Sequence, residues 1–600
     1  MSTATCRAGP LDPPRAGDRH VLSDAGRVLR TRLTAGLTTR PAYGRWIALA
    51  LAIVLAARAA IAQTVAPAAT HAEAERRRDS ALSHLRDGDV PAALSDIHAA
   101  LAAEPDNAAL HDALGVILGE GGHVGAAVFE FREAVRLDPA FADARFHLGL
   151  ALERTEKPRE AIASYEGALS LKPDLLEARY GLASACANVG DLSGAIAVLR
   201  DIVDAMPQLA EAHYNLGVNL WNRYKRSSGL RLQQDLDAAR EELQAATDLD
   251  PRETRFHAAL GQLLADTQDL AGALEHLRSA AALAPADAEH AYSLGLALRL
   301  AGDLEAAEAQ FRAAIRRNPH HAFAFRALGL VLRQRADYTA AADSLRRSVD
   351  ERPDDAQARH VLGTVLLKLD RVDDAAVELR RAIALDPNLT EARVTLAQLL
   401  SKTGRAAEAR EQQSEIERIN AENAAHGRTL VLLQTAAERL KNGQTDAGVE
   451  QLREAAALSP RFAETHYQLG VALDGSHRDG AESALRRVLE LDPEHASARY
   501  RLGLLLARRD RMAAAAELRK AFEIEPGFVD ARRATARLAV DVRDWRTAAA
   551  ELQKVVIWAP RIADAHFDLA AAWRALGDAA SAAREDAIGQ QLKSAARPPR

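Results

Sequence analysis

The sequence predicts an all-α fold, a solenoid of about fifteen stacked helix-turn-helix units. Three observations predict it. Apolar residues recur at helical spacing in paired blocks, a proline closes each pair at a nearly constant interval, and the strand-like alternation that a catalytic α/β domain would need is absent. The unit is clearest between Ala286 and Pro319, where Leu294, Leu296, Leu298, Leu304, Phe311 and Ile315 fall into two helical blocks divided by Gly302 and Asp303. Gly302 is suited to the left-handed conformation that ends a first helix, Asp303 to capping the free N–H groups of the second, and Pro319 to stopping it. One such hairpin cannot bury its own apolar faces. It must stack on neighbours, so the stability of the fold lies in the interfaces between units.

The terminal prolines count the copies: Pro105, Pro139, Pro173, Pro207, Pro251, Pro285, Pro319, Pro353, Pro387, Pro460, Pro493, Pro526 and Pro560. Of their twelve intervals, eight are 34 residues and two are 33. Nine residues after most of them stands Leu-Gly or Leu-Ala, as at Leu114-Gly115, Leu148-Gly149, Leu216-Gly217, Leu328-Gly329 and Leu502-Gly503. Twelve residues before a proline stands an alanine, such as Ala127, Ala161, Ala307 or Ala548. Small residues at both places let the two helices of a unit approach closely. This pattern resembles the tetratricopeptide repeat family, and the resemblance extends over nearly all of the chain after residue 70. It implies a right-handed superhelical solenoid with a concave groove that binds proteins or peptides, without saying which. The Trp that the family prefers early in the first helix is replaced here by residues such as Arg145, His213 and Phe325.

Taken in order, residues 1–62 stand apart from the array. The first 45 carry eight Arg and three Asp, Trp46 to Ala57 is an uncharged apolar run, and Ala60-Ile61-Ala62 offers a small-x-small site. This reads as a signal peptide with a long basic leading region, cleaved after Ala62, which places the mature chain outside the cytoplasm, in the periplasm or the extracellular space. The alternative is an uncleaved anchor, with membrane contact only through residues 46–62. The run is short of the roughly 20 residues that span a bilayer. Residues 63–70 form an Ala/Pro linker. Residues 71–404 form an N-terminal array whose first unit has the polar face of a terminal cap. Residues 405–427 read as a long charged helix, ended by Gly427, at which the array either bends into two lobes or continues as one superhelix. Residues 428–594 form a C-terminal array and cap, and 595–600 a tail. One unit, between Gln208 and Pro251, is longer than the rest. Its surplus, Tyr224 to Gln233, falls where the inter-helix turn belongs, and with Arg223 beside it this segment carries Lys225, Arg226 and Arg231 and no acid. It is expected to be a surface loop, tolerated or used as a basic contact.

The formal charge is −6, with 27% charged and only 4% aromatic residues. Loss of residues 1–62 removes nine Arg and three Asp and takes the charge to −12, which argues against nucleic-acid binding. The two cysteines, Cys6 and Cys186, form no disulfide framework or zinc motif, and Cys186 falls at a packing position. No nucleophile elbow, zincin motif, phosphate loop or haem motif is present, so no enzyme activity, cofactor or metal is expected. Most of the histidines recur in successive first helices, as at His147, His213, His257, His466 and His566, which makes them architectural.

Two residues before each Leu-Gly or Leu-Ala stand Phe146, Tyr180, Tyr214, Tyr292, Tyr467, Tyr500 and Phe567, a series interrupted by Arg326, His360 and Arg533. In the family this face lines the groove, so these side chains either bind an extended partner or pack neighbouring helices. The Asn patterns of the chaperone-tail clamp and of the sugar-transferase relatives are missing, apart from Asn215. The expected function is that of an exported scaffold that organises an envelope or secreted assembly through a protein or peptide ligand. The alternative is a non-catalytic recognition subunit of an enzyme or export complex, serving glycosyl transfer or secretion.

Overall fold

The computed structural model describes residues 71–226, 232–474 and 478–595. Among them every regular element is an α-helix. In chain order the hairpins are α1 (His71–Arg86) with α2 (Val90–Ala103), α3 (Ala108–Glu120) with α4 (Val124–Leu137), α5 (Ala142–Arg154) with α6 (Pro158–Leu171), and α7 (Leu176–Val189) with α8 (Leu192–Ala205). Then come α9 (Ala210–Arg226) with α10 (Leu232–Leu249), α11 (Thr254–Asp266) with α12 (Leu270–Leu283), α13 (Ala288–Leu300) with α14 (Leu304–Arg317), α15 (Ala322–Gln334) with α16 (Tyr338–Glu351), and α17 (Ala356–Lys368) with α18 (Val372–Leu385). Next, α19 (Thr390–Lys402) packs on the start of α20 (Ala406–Lys441), whose end packs on α21 (Thr445–Leu458). The last are α22 (Ala463–Leu473) with α23 (Arg478–Leu491), α24 (Ala496–Leu506) with α25 (Arg511–Ile524), α26 (Val529–Asp541) with α27 (Trp545–Trp558), and α28 (Ala563–Leu576) with α29 (Ala579–Ala595). Because α20 serves two hairpins, the described residues form fifteen, as the repeat count predicts.

The hairpins form where the sequence places their signals. Gly302 takes φ +86°, and the Asp303 carboxylate accepts a hydrogen bond from the Ala306 N–H at 3.0 Å, which caps α14. The same turn position holds Glu156, Gln268, Ala336, Asp370 and Arg543, all at positive φ, so the turn is imposed by packing even where no glycine eases it. Inside the hairpin, a Cβ at Gly295 would lie 2.7 Å from the Phe311 ring, so only glycine lets α13 and α14 come this close. The facing alanines, including Ala127, Ala161, Ala307 and Ala548, are fully buried.

The described residues divide into two compact units. One gathers those up to Val198 and those from Ala549 onward, and the other is Leu199–Ala548. Within each, hairpins that follow one another in the chain stack on one another. In the first, Trp558 is fully buried and its indole N–H donates to Glu166 Oε1 at 2.7 Å, with Lys554 Nζ 3.4 Å from the other carboxylate oxygen. A buried carboxylate is tolerable on such terms, because a donor and a cation both face it. In the second, Phe311, Leu345 and Val365 belong to a continuous core that runs from α12 to α18.

Two expectations are corrected. Gly427 does not end the charged helix: α20 continues to Lys441, 36 residues in all, and buries Ile416 and Ile419 before the glycine and Thr429, Leu433 and Ala436 after it. Burial on both sides outweighs the roughly 1 kcal/mol that a glycine costs within a helix. The surplus in the long unit is not wholly a loop either. Tyr224, Lys225 and Arg226 extend α9, and Leu232 and Gln233 open α10, which leaves 227–231 outside the described residues. The expectations for residues 1–70, including the signal segment and Cys6, and for 596–600 also lie outside them. Cys186 is buried as expected, and burial pushes its thiol pKa up.

The two glycines give opposite expectations. Nothing lies within 4 Å of a Cβ built at Gly427, so Gly427→Ala is expected to raise the stability of the α20 region by about 0.5–1 kcal/mol. Gly295→Ala is expected to cost about 1–3 kcal/mol through overpacking. Urea unfolding together with hydrogen exchange localised to α20 and to α13 checks both.

Candidate functional site

In most hairpins the first helix carries a His or Arg six residues after the preceding proline, and it turns back to that proline; Ala291 and Phe325 take this place in two others. His111 Nε2 lies 2.8 Å from the Pro105 carbonyl, and its Nδ1 lies 2.6 Å from Glu130 on α4. His213 pairs in the same way with Pro207 and Glu242, and His566 with Pro560 and Glu585. Arg359 makes the equivalent clip to the Pro353 carbonyl and Glu378, and Arg393 to Pro387 and Gln412. The clip ties the inter-hairpin turn to the second helix. In these hairpins the family's Trp position is filled by a polar brace, which accounts for the histidines that recur there.

A carbonyl and a carboxylate both only accept, so the full pair of bonds at His111 and at His566 is made by the imidazolium, which donates from both nitrogens. Burial pulls the His111 pKa down, but the bonds to Glu130 and the Pro105 carbonyl outweigh it and leave the pKa above its ordinary value near 6.5. His566 is raised in the same way by Glu585 and Pro560 against burial. His321 has the opposite role. It caps α15, with Nδ1 accepting from the Ala324 N–H at 3.3 Å, which requires a neutral ring, and burial lowers its pKa. Inside the hairpin of α11 and α12, His257 Nδ1 and His276 Nδ1 approach to 3.0 Å. Burial, and then the His257 charge, lower the His276 pKa.

The aromatic series lies on the first-helix face, and none of its members is fully exposed. Its rings cover the start of the next first helix. The Tyr292 ring lies 4.9 Å from that of His321, Tyr467 lies 4.8 Å from His495, Tyr500 lies 5.0 Å from Phe528, and Tyr214 lies 5.0 Å from Phe256. Arg326 makes the polar equivalent, 2.7 Å from the capping Asp355. Phe146 is buried 6.2 Å from Tyr165, and Lys593 sits 4.7 Å over Phe567. Tyr180 and His360 are half-buried. Burial lowers the His360 pKa, Glu391 opposes this and Arg333 adds to it.

In the expected basic segment, Arg223 forms a two-point bond to Asp235 at 2.8 and 2.6 Å, and Lys225 lies 3.8 Å over the Trp221 ring. Arg226 is exposed, and Arg231 lies outside the described residues. The sequence reading missed Arg299 and Arg333, fourteen residues after Pro285 and Pro319. They occupy the same place in successive first helices. Their position holds Gly119, Glu153, Ala187, Trp221 and Ala265 in other units, so no repeat pattern marks it.

Among the described residues, no group of three or more His, Cys, Asp or Glu is placed to hold a metal ion, and no helix is long and apolar enough to cross a membrane.

Two models described as tetratricopeptide repeat match the chain, one at residues 78–139, 113–175, 224–288, 292–356 and 471–523, the other at 152–216 and 371–431. No curated protein matches it. Among solved structures, the chain is similar to MamA (residue 41 to its end) from Desulfovibrio magneticus RS-1, with 23% identity over 28% of this chain and 94% of that one and a TM-score of 0.27. It is similar to YrrB, described as a TPR protein with an unusual peptide-binding site, with 21% identity over 45% and 97% of the two chains and a TM-score of 0.20. It is also similar to the Cut9–Hcn1 hetero-tetramer of APC/C, with 14% identity over 83% and 96% and a TM-score of 0.34.

Opposite pH responses are expected at the two kinds of histidine. A raised folded-state pKa contributes stability that is complete below the unfolded value near 6.5 and is lost as pH rises through the folded value. Exchange protection in α3 and α28 should therefore fall from roughly pH 6 to 8, and the fall should shrink in His111→Gln and His566→Gln. At α15, where the cap must be neutral, protection should instead fall as pH drops below the unfolded value. Separately, Tyr292→Ala is expected to cost about 2–4 kcal/mol by emptying a buried inter-hairpin contact, and Tyr292→Phe much less, as read by urea unfolding.

Proposed function

The chain belongs to the tetratricopeptide repeat family, and from that membership we propose that it is an exported, non-catalytic scaffold that holds an extended protein or peptide segment on its first-helix face and organises an envelope or secreted assembly. The observation that carries the reading is that every described helix belongs to the array. What the chain offers a partner is therefore the surface of the array. Export is supported by the apolar run from Trp46 to Ala57 and the small-x-small site at Ala60 to Ala62.

Cross-linking mass spectrometry on the chain purified with its partner from the exporting cell tests the binding face. Cross-links are expected on first helices such as α13, α15 and α17. Cross-links confined to second helices would sink the groove reading. Amino-terminal sequencing of the same material is expected to begin at Gln63, and an intact basic leader on a cytosolic chain would remove the export claim.

A further inference from the structure

Three of the five arginines on and beside the wall formed by α13, α15 and α17 are neutralised within the chain. Arg326 is 2.7 Å from Asp355, Arg359 is 2.7 Å from Glu378, and Arg335 pairs with Glu308. Arg299 and Arg333 are the exceptions. Arg299 is half-buried, and its Nε is enclosed without a hydrogen-bond partner. Arg333 donates to the neutral Thr364 hydroxyl at 3.4 Å, and among the described residues neither arginine forms an ion pair. Instead the two act on each other. Arg333 is exposed; partial desolvation of its guanidinium, and then the Arg299 charge, lower its pKa. Two like charges at one register of adjacent helices oppose folding, and nothing in the hairpin packing requires them there. Beside them lie the half-buried Leu296 and Leu330.

We infer that this wall is a docking site for an extended peptide that brings a carboxylate to Arg299 and Arg333 and an apolar side chain to Leu296 and Leu330. The inference rests on the peptide-binding reading above and gives it a chemistry. Planar guanidinium forks match a carboxylate bidentately, and a counter-ion bound between them removes their mutual repulsion. A polyanion such as a nucleic acid fits poorly. Glu289 and Glu391 stand at the margins of the same wall, near Tyr292 and His360, and would repel a run of negative charge. The fitting segment is one with an isolated carboxylate among uncharged residues.

The probe is a panel of N-acetylated nonapeptides of Leu, Ala and Gly carrying zero, one or two Glu, each with a Gln counterpart, prepared with an amidated or a free C-terminus. Binding to the full chain is read by fluorescence anisotropy at two salt concentrations. A Glu peptide is expected to bind at least about tenfold tighter than its Gln counterpart, with an advantage that shrinks in high salt. The free-terminus arm shows whether a chain-end carboxylate serves equally. Arg299→Gln with Arg333→Gln should abolish the advantage and, by relieving repulsion, should not unfold the array. Arg410→Gln, an exposed position on α20, should leave the advantage intact. Equal affinity for acidic and neutral peptides, or an advantage that survives the double substitution, overturns the inference while peptide binding stands. A chain that binds none of the peptides overturns both.

Discussion

The close approach of two helices inside each hairpin is the contact on which the rest of the structure depends. At Gly295 the missing side chain admits the Phe311 ring, and the facing Ala307 is fully buried. Any larger residue at either place would push the second helix outward and rotate the surface on which the next hairpin stacks. Because interiors pack without slack, such an error would propagate to the neighbouring interface. A constant interior therefore lets the same joint be used many times in succession. It also explains why the turn is held at positive φ even at Ala336 and Asp370, where the local backbone preference opposes it.

Stacking then needs a second device, because a hairpin has no covalent means of fixing its angle to the next beyond a short turn. The polar clip supplies it. A histidine or arginine reaches back to the carbonyl of the preceding proline, which has no N–H of its own to offer, and forward to an acid on the second helix. One side chain thus satisfies a turn carbonyl and braces two helices, at the cost of a buried charge that its two acceptors compensate. Rings such as Tyr292 and Tyr500 complete the joint from the other side by covering the entry of the next first helix.

The hairpins, their caps and their number were legible because each depends on residues within a few positions of one another, as with Gly302, Asp303 and Ala306. The architectural role of the histidines was legible as a recurrence, although the proline carbonyls they bind could not be named before the turn was seen. Gly427 misled for a definite reason. A glycine after a polar helix carries the local signal of a stop, whereas the burial that carries the helix past it comes from Leu433 and Ala436, far along the chain and facing another hairpin. The surplus at Tyr224 misled in the same way, since its helical extension depends on the Arg223–Asp235 pair across the hairpin. The aromatic series could be found but not interpreted, because the partners of rings such as Tyr214, Tyr292, Tyr467 and Tyr500 lie in the following hairpin.

These cases separate two kinds of charged position on one helix. Six residues after the proline, a cation is consumed by the fold, so His111, Arg359 and His566 have no charge left to offer a ligand. Fourteen residues after it, the side chain has no assigned partner, and the units differ freely there: glycine, glutamate, tryptophan and arginine are all accommodated. On α5, Glu153 at this place is absorbed by Tyr165, Ser184 and Asn188. Arg299 and Arg333 are not absorbed. The array can thus change what its surface recognises by changing residues that its packing does not constrain, and the unpaired charges, more than the periodic aromatics, mark where recognition is written.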